Sequence, residues 1–516
     1  MTTNKKKIDI GFHVLVCSML LGGALVAQSP SGALTEAEQR GKKIFLEGKS
    51  DHGADIVAVL SNVEVPASVL PCGSCHGPGG KGNSEGGVHP SDIRWETLTR
   101  SYQNTNREGR DHPPYTEKSI KKAVTLGFDP AGNVLNPTMP RYKMSMAETD
   151  DLIAYLKRLS SDQEEGITGD KIKIACLLPP GGMENELVKI TADVIRARFD
   201  QVNRSGGIYG RSIEPVLYSE SSGSGSILDF LGKERPFALG CSFMPAADSL
   251  LAEYLQGQKM PLCGAISENT STGRRISRYV FHLYAGLTEQ TSALLDKAGT
   301  EASGVLMVCS DTPEDREQIR RIKEFRKGNR LPVPDVYFIP AGEPVSALAS
   351  DIASRKPGAV VFFSGADLSG LLHAFAKRSF LPRVFAPGSR AGKGIFSAPI
   401  AFHKKVILAY PTWADQITSQ GYQLFRELQK QYELPENFQN MQMICLAATN
   451  LLIEALKTCG TELSREKLIK SIENGGDFKS GLIPVLSYGP NKRVGSTRVF
   501  LMELDLEKGS LNDLNN

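Results

Sequence analysis

Cys72-Gly73-Ser74-Cys75-His76 is the stretch of this chain whose residue types and spacing dictate a particular chemistry. C-x-x-C-H is the spacing of a c-type haem attachment site. Two thiols form thioethers to the haem vinyls, and the adjacent His76 then lies under the iron as its proximal ligand. The opposite iron face needs a second ligand, and a methionine there raises the reduction potential. Residues 136–142, Asn-Pro-Thr-Met-Pro-Arg-Tyr, present Met139 on an extended loop between Pro137 and Pro140. Zinc is the competing use of such a motif, but a structural zinc site wants four Cys or His ligands at close spacing. The next cysteine is Cys176, beyond a polar stretch. Met144 and Met146 are expected to pack against the domain core. His52, His89 and His112 read as exposed loop residues with no ligand role.

The elements that must position these residues are legible on either side. Thr35-x-x-Glu38 is a capping box that opens a helix carrying Gly41, Ile44 and Phe45 on one face. A small residue followed by an aromatic suits a helix that crosses another at close range. Ser145-Met146-Ala147-Glu148 is a second capping box. It opens a helix with Leu152, Ile153, Tyr155, Leu156 and Leu159 on one face. Residues 48–71 intervene before the haem motif, and a glycine-rich turn at 77–82 follows it, letting backbone lie close to the haem edge.

Taken together, residues from about 35 to 160 resemble a class I cytochrome c domain. The matching pieces are residues 41–45, the C-x-x-C-H motif, Gly86-Gly87-Val88-His89-Pro90, residues 110–115, Gly127-Phe128-Asp129-Pro130-Ala131-Gly132, Met139-Pro140-Arg141-Tyr142, and residues 152–159. The resemblance implies a small all-α fold whose first and last helices cross, one covalent haem c, and iron ligation by His76 and Met139. The insert between Phe45 and Cys72 departs from the minimal pattern.

The whole chain has 516 residues and a net charge of +3, which fits several domains and gives no electrostatic footprint for nucleic acid. Lys5, Lys6 and Lys7 precede an apolar run at 11–27 that reads as a signal segment, with residues 1–33 removed on export. An uncleaved membrane anchor is the alternative. Either way the body of the chain is expected in the periplasm, where haem c is attached. Residues 161–170 are poor in apolar side chains and read as a linker between a 34–160 domain and a 171–516 domain.

From Lys171 onward short apolar runs alternate with amphipathic helices, the pattern of parallel sheets covered on both faces. This region resembles the type 1 periplasmic solute-binding proteins of the branched-chain amino acid and amide group. The resemblance rests on residues 171–178 and 202–210, Met260-Pro261-Leu262-Cys263-Gly264-Ala265, and Arg278-Tyr279-Val280-Phe281-His282 followed by Glu289-Gln290-Thr291. It implies two α/β lobes joined by three crossovers, with ligand held in the cleft at the strand ends, as is general for open α/β sheets. Ser242, Ser267, Tyr284 and Glu289, and on the second lobe Ser364 and Ser389, are the candidate cleft residues. Hydroxyls there suit a carboxylate and Glu289 suits an amine. The family often has an acidic residue where this chain has Thr288 or Glu289. Of nine cysteines, two serve the haem and Cys17 lies in the apolar leader. Cys176, Cys241, Cys263, Cys309, Cys445 and Cys459 read as buried small hydrophobes, with Cys241 and Cys263 as the first pair to test for a disulfide.

No nucleophile elbow, zinc-hydrolase motif or phosphate loop is present, and His76 with Met139 leaves no open iron position. The sequence therefore points to an exported electron-transfer protein with a module that docks a ligand or partner, not to an enzyme. Two alternatives stand beside it. One is a solute-binding protein of an ABC transporter or sensor with the haem as redox reporter, and the other is the electron-accepting subunit of a periplasmic dehydrogenase. The partners implied are a periplasmic redox protein, an amino-acid or amide-like ligand and an ABC permease.

Overall fold

The computed structural model describes residues 34–82, 90–100, 104–105, 111–160, 162, 164–219, 225–244, 249–270, 277–364, 367–461 and 463–514. The N-terminal leader, residues 86–89 with His89, Arg110, and positions 161 and 163 of the polar stretch lie outside them. The chain divides into two compact units, the first ending at Ser161 and the second starting at Asp162.

In the first unit, the helix Glu36–Glu47 starts on the Thr35 capping box and stops at Gly48, whose φ is 64°. Its buried face is Gly41, Ile44 and Phe45. It crosses the helix Met146–Arg158, which starts on the Ser145/Glu148 box. The crossing is close enough that a Cβ on Gly41 would lie 2.0 Å from the Asp151 carbonyl oxygen. The buried Asp151 carboxylate accepts from Arg40 Nε and Nη2 at 2.7 and 3.0 Å and pairs with His52 Nε2 at 2.7 Å. Burial pushes that carboxyl up, but Arg40 and His52 outweigh it and hold it below the ordinary carboxylate range.

To the expected helices the insert adds a small sheet. Val57–Leu60 and Val63–Pro66 form a hairpin whose two turn residues, Ser61 and Asn62, have φ of 47° and 70°. Positive φ at both central residues is the two-residue turn that matches strand twist. The third strand, Arg141–Lys143, pairs with Val57–Leu60 and begins two residues after Met139.

The second unit has two lobes. In the first lobe the strand order is Val494–Ser496, Val280–Tyr284, Leu262–Ile266, Ala238–Leu239, Lys171–Leu177 and Ser212–Tyr218, all parallel. In the second it is Asp335–Ile339, Val305–Ser310, Ala359–Phe362, Arg383–Pro387 and Val406–Tyr410, parallel, then Phe500–Asp505 and Ser510–Asp513, antiparallel. Near-continuous apolar strands such as Lys171–Leu177 and Val406–Tyr410 are what sheets covered on both faces require. The chain passes between lobes three times, at 285–286, 411–418 and 497–499, and the helix Gln439–Thr458 returns to pack in the core of the first lobe.

Part of the expected linker is not free chain. The Lys173 N–H donates to the Gly166 carbonyl at 2.7 Å, Glu164 accepts from the Arg465 N–H at 3.3 Å, and a Cβ on Gly166 would lie 2.0 Å from the Phe237 nitrogen. Composition alone hides this, because the docking uses backbone groups, one carboxylate and one glycine with φ of 77°.

Candidate haem site and solute cleft

Cys72–His76 form a single helical turn that follows Pro71. Cys72 is half-buried and Cys75 exposed. Burial pushes the Cys72 thiol up to about 11. His76 Nδ1 lies 2.9 Å from the Ser91 carbonyl oxygen. A carbonyl only accepts, so Nδ1 carries the proton and the Nε2 lone pair is left for a metal. Burial lowers the His76 pKa, against the pull of Ser91 and Asp92, and so favours the neutral, ligating form.

Met139 is half-buried on its loop. Asn136 Oδ1 accepts from the Thr138 N–H and hydroxyl, and the Met139 N–H donates to the Asn136 carbonyl at 3.0 Å. Arg141 clamps the loop from behind, donating to the carbonyls of Met139 and Leu135. Its guanidinium fits only because residue 127 is glycine: a Cβ there would lie 1.7 Å from Arg141 Nε. One residue further on, Tyr142 donates to the Leu70 carbonyl at 2.6 Å. That bond fastens the methionine loop to the chain two residues ahead of Cys72.

Met144 packs against the core as expected, whereas Met146 is exposed, because it caps the outward side of its helix start. His52 is engaged with Asp151, and His112 Nδ1 lies against the Pro113 carbonyl with its ring on Tyr115. Leu126, Phe128 and Val134 are exposed beside the clamped loop, and Leu46 and Val69 are exposed beside the motif. One exposed and one half-buried thiol, an imidazole with its distal nitrogen free, a thioether and an uncovered apolar rim are groups that suit a covalently held, flat, apolar macrocycle with a central metal. Among the described residues no group of three or more His, Cys, Asp or Glu is arranged to hold a metal ion.

In the second unit the cleft lies where the C-terminal strand ends of the two lobes face each other. Side chains bridge it: among them, Arg390 Nη2 donates to Glu268 at 2.8 Å, and Gln318 Nε2 donates to Asn269 Oδ1. Four expected cleft groups are spent on the protein itself. Ser242 accepts from the Leu177 N–H at 3.1 Å and donates to the Gly240 carbonyl. Ser267 makes a local turn with the N–H and carbonyl of Asn269 at 2.9 and 2.7 Å. Ser364 donates to Asp315 at 2.6 Å and accepts from the Ser310 N–H at 3.2 Å. Glu289 is the N3 residue of the helix Leu287–Glu301, where Oε2 accepts from the Gly286 N–H at 2.9 Å and from Thr270 at 2.8 Å. Its Oε1 is buried without a partner. Tyr284, half-buried at its strand end, and Ser389, exposed on the short helix Gly388–Ala391, keep their hydroxyls free.

Ser91, the Gly127–Arg141 pair, Glu268 and Arg390 were not singled out by sequence reasoning. Their partners are 14 to 122 residues away, and the hints were that Glu268 and Arg390 follow directly on the candidates Ser267 and Ser389 and that Gly127 and Arg141 lie in the matching motifs. Among the described residues Cys241 and Cys263 are not joined in a disulfide, and Cys241 lies within hydrogen-bond reach of Cys445. The helix Gln439–Thr458, far along the chain, interposes its own thiol beside Cys241.

A periplasmic binding protein family model matches residues 171–510, and a cytochrome c model matches residues 67–160. No curated protein matches the chain. Among solved structures, it resembles a branched-chain amino acid ABC transporter protein from Thermus thermophilus with bound valine. That likeness has a TM-score of 0.54 at 16% identity, over 67% of this chain and 96% of that one. A fatty acid ABC transporter substrate-binding protein from Thermomonospora curvata gives 0.53 at 16%, over 68% and 93%. A substrate-binding protein from Aeropyrum pernix gives 0.53 at 18%, over 67% and 95%. At these identities the likeness is one of fold. Both families are typically exported, and among the described residues no helix is long and apolar enough to cross a membrane.

Proposed function

Because the chain belongs to the periplasmic binding protein family and carries a cytochrome c domain ahead of that module, we propose that it is an exported electron carrier with a solute-binding module that docks a ligand or partner. The observation that carries the redox half is the His76 Nδ1 bond to Ser91, which orients the ring and leaves Nε2 for iron. Haem c held there supplies a one-electron couple between Fe(II) and Fe(III). Cys72 and Cys75 would hold it through thioethers, and His76 and Met139 would be the residues that ligate its iron. Arg141 and Gly127 fix the Met139 loop, and Tyr142 fixes that loop against the attachment turn. With His76 and Met139 both committed to the iron, the site would suit electron transfer with a periplasmic redox protein rather than substrate chemistry.

The two lobes, with their three crossovers, suit hinge closure around a small solute. That favours one second reading, in which the chain delivers solute to an ABC permease or sensor and the haem reports redox state. Redox titration of the purified chain, with and without a solute found by thermal shift, separates the two. A ligand-dependent shift of the haem potential means the modules are coupled. Binding at unchanged potential means two tethered, independent modules, and reduction by a periplasmic dehydrogenase would favour a subunit role.

A further inference from the structure

Resting on the solute-binding reading of the second unit, we propose that Arg390 selects the solute by gripping a carboxylate through Nε and Nη2, so that the solutes of this cleft are carboxylic acids. Arg390 follows the strand Arg383–Pro387 at the strand end where ligands of such folds lie. Its guanidinium rests over the Phe363 ring, 5.6 Å from the centroid, which fixes its plane. Nε and Nη2 of an arginine point the same way and form a fork that matches the two oxygens of a carboxylate. The first unit contains a complete example, Arg40 on Asp151 at 2.7 and 3.0 Å. At Arg390 the fork is half used. Nη2 reaches across the cleft to Glu268 at 2.8 Å, while Nε is buried and has no partner. A buried donor left unpaired is costly, and a two-oxygen ligand entering from the cleft satisfies it.

Three of the alternative anchors are occupied, while the free hydroxyls of Tyr284 and Ser389 carry no charge to match a carboxylate. The hydroxyls of Ser242, Ser267 and Ser364 are bonded within the protein, and Asp315 holds Ser310 and Ser364. Glu268 is half-exposed, so it can swing into water when a ligand carboxylate takes its place. It is the internal stand-in for the ligand, and it competes with it.

The test uses the full haem-loaded chain and matched acid and amide probes: straight-chain acids from acetate to dodecanoate with their primary amides, and L-valine with L-valinamide. Thermal unfolding finds binders and calorimetry gives Kd. Acids are expected to bind and their amides not. Arg390→Gln should weaken the best acid about 10- to 100-fold, the effect of losing charged hydrogen bonds. Arg390→Lys should fall between, because it keeps the charge and loses the fork. Glu268→Gln should tighten the acid by removing its competitor. The exchanged pair Glu268→Arg with Arg390→Glu keeps the bridge, and should keep the unfolding midpoint while losing the acid. Amides binding as well as acids, Arg390→Gln leaving Kd unchanged, or binding confined to neutral or cationic solutes would overturn the assignment and leave the solute-binding reading intact. Failure of every acidic, neutral and cationic solute to bind the unaltered chain would overturn both.

Discussion

Replacing Gly127 by alanine is expected to release Met139. Gly127 ends the helix Glu117–Leu126 with φ of 78°, and a Cβ there would lie 1.7 Å from Arg141 Nε. The guanidinium must then leave the carbonyls of Met139 and Leu135. A left-handed backbone costs a non-glycine residue about 1–2 kcal/mol. Each lost hydrogen bond to a charged donor costs about 1.5–3 kcal/mol. Water resolvates the freed guanidinium, so the low end of the sum, roughly 4 kcal/mol, is expected. Gly132→Ala is the control, since Gly132 has φ of 89° but no heavy atom within 4 Å of a built Cβ. It should cost only about 1–2 kcal/mol, from the backbone. Denaturant unfolding of both variants measures the difference, and the ferric methionine-to-iron charge-transfer band reports Met139 directly. Equal stabilities with an intact band in both variants would refute the clamp.

Replacing Cys72 and Cys75 together by alanine should leave no haem that survives acid–organic extraction, and surviving haem would sink the attachment site. Met139→Ala should abolish the charge-transfer band and lower the reduction potential, since sulfur ligation favours Fe(II), whereas Met144→Ala should do neither; the reverse result would move the ligand to Met144. Asp151 is held below the ordinary carboxylate range, so its stabilising contribution is present above the unfolded pKa of about 3.9 and is lost as the pH falls through the folded value. Asp151→Asn should therefore destabilise the first unit at neutral pH, with the gap to the unaltered protein narrowing as the pH drops below about 4; a gap that stays constant would mean the pair contributes nothing through its charge. Each unit has its own apolar core, so fragments 34–160 and 162–516 should fold separately, the first red and the second colourless; aggregation of the second alone would indicate a shared core.

Local rules carried the parts of this protein that depend on neighbours in sequence. Thr35 with Glu38 and Ser145 with Glu148 form their caps because a side chain three residues from a helix start reaches only that helix's own N–H groups. Cys72, Cys75 and His76 are legible for the same reason, as one turn of chain sets their spacing. The hairpin is legible too, in alternating Val residues around Ser61-Asn62, within the insert that departs from the minimal pattern.

Long-range partners were not legible. The serines expected in the cleft were chosen by position after a strand, which tells where a residue sits and not what its hydroxyl meets. Only folding brings the Leu177 N–H to Ser242 and Asp315 to Ser364, and so engages both hydroxyls within the protein. The same holds for the working contacts. Gly127 matters through a side chain 14 residues on, and Arg390 through a carboxylate 122 residues earlier on the opposite lobe. The sequence by itself determined a covalent haem turn, its helical frame and a two-lobed α/β module, because each is written in short-range spacing and periodicity. Which groups are spent inside the protein and which remain to meet a solute was decided by the tertiary structure, since a hydrogen bond depends on distance in space and the chain folds far-separated segments together.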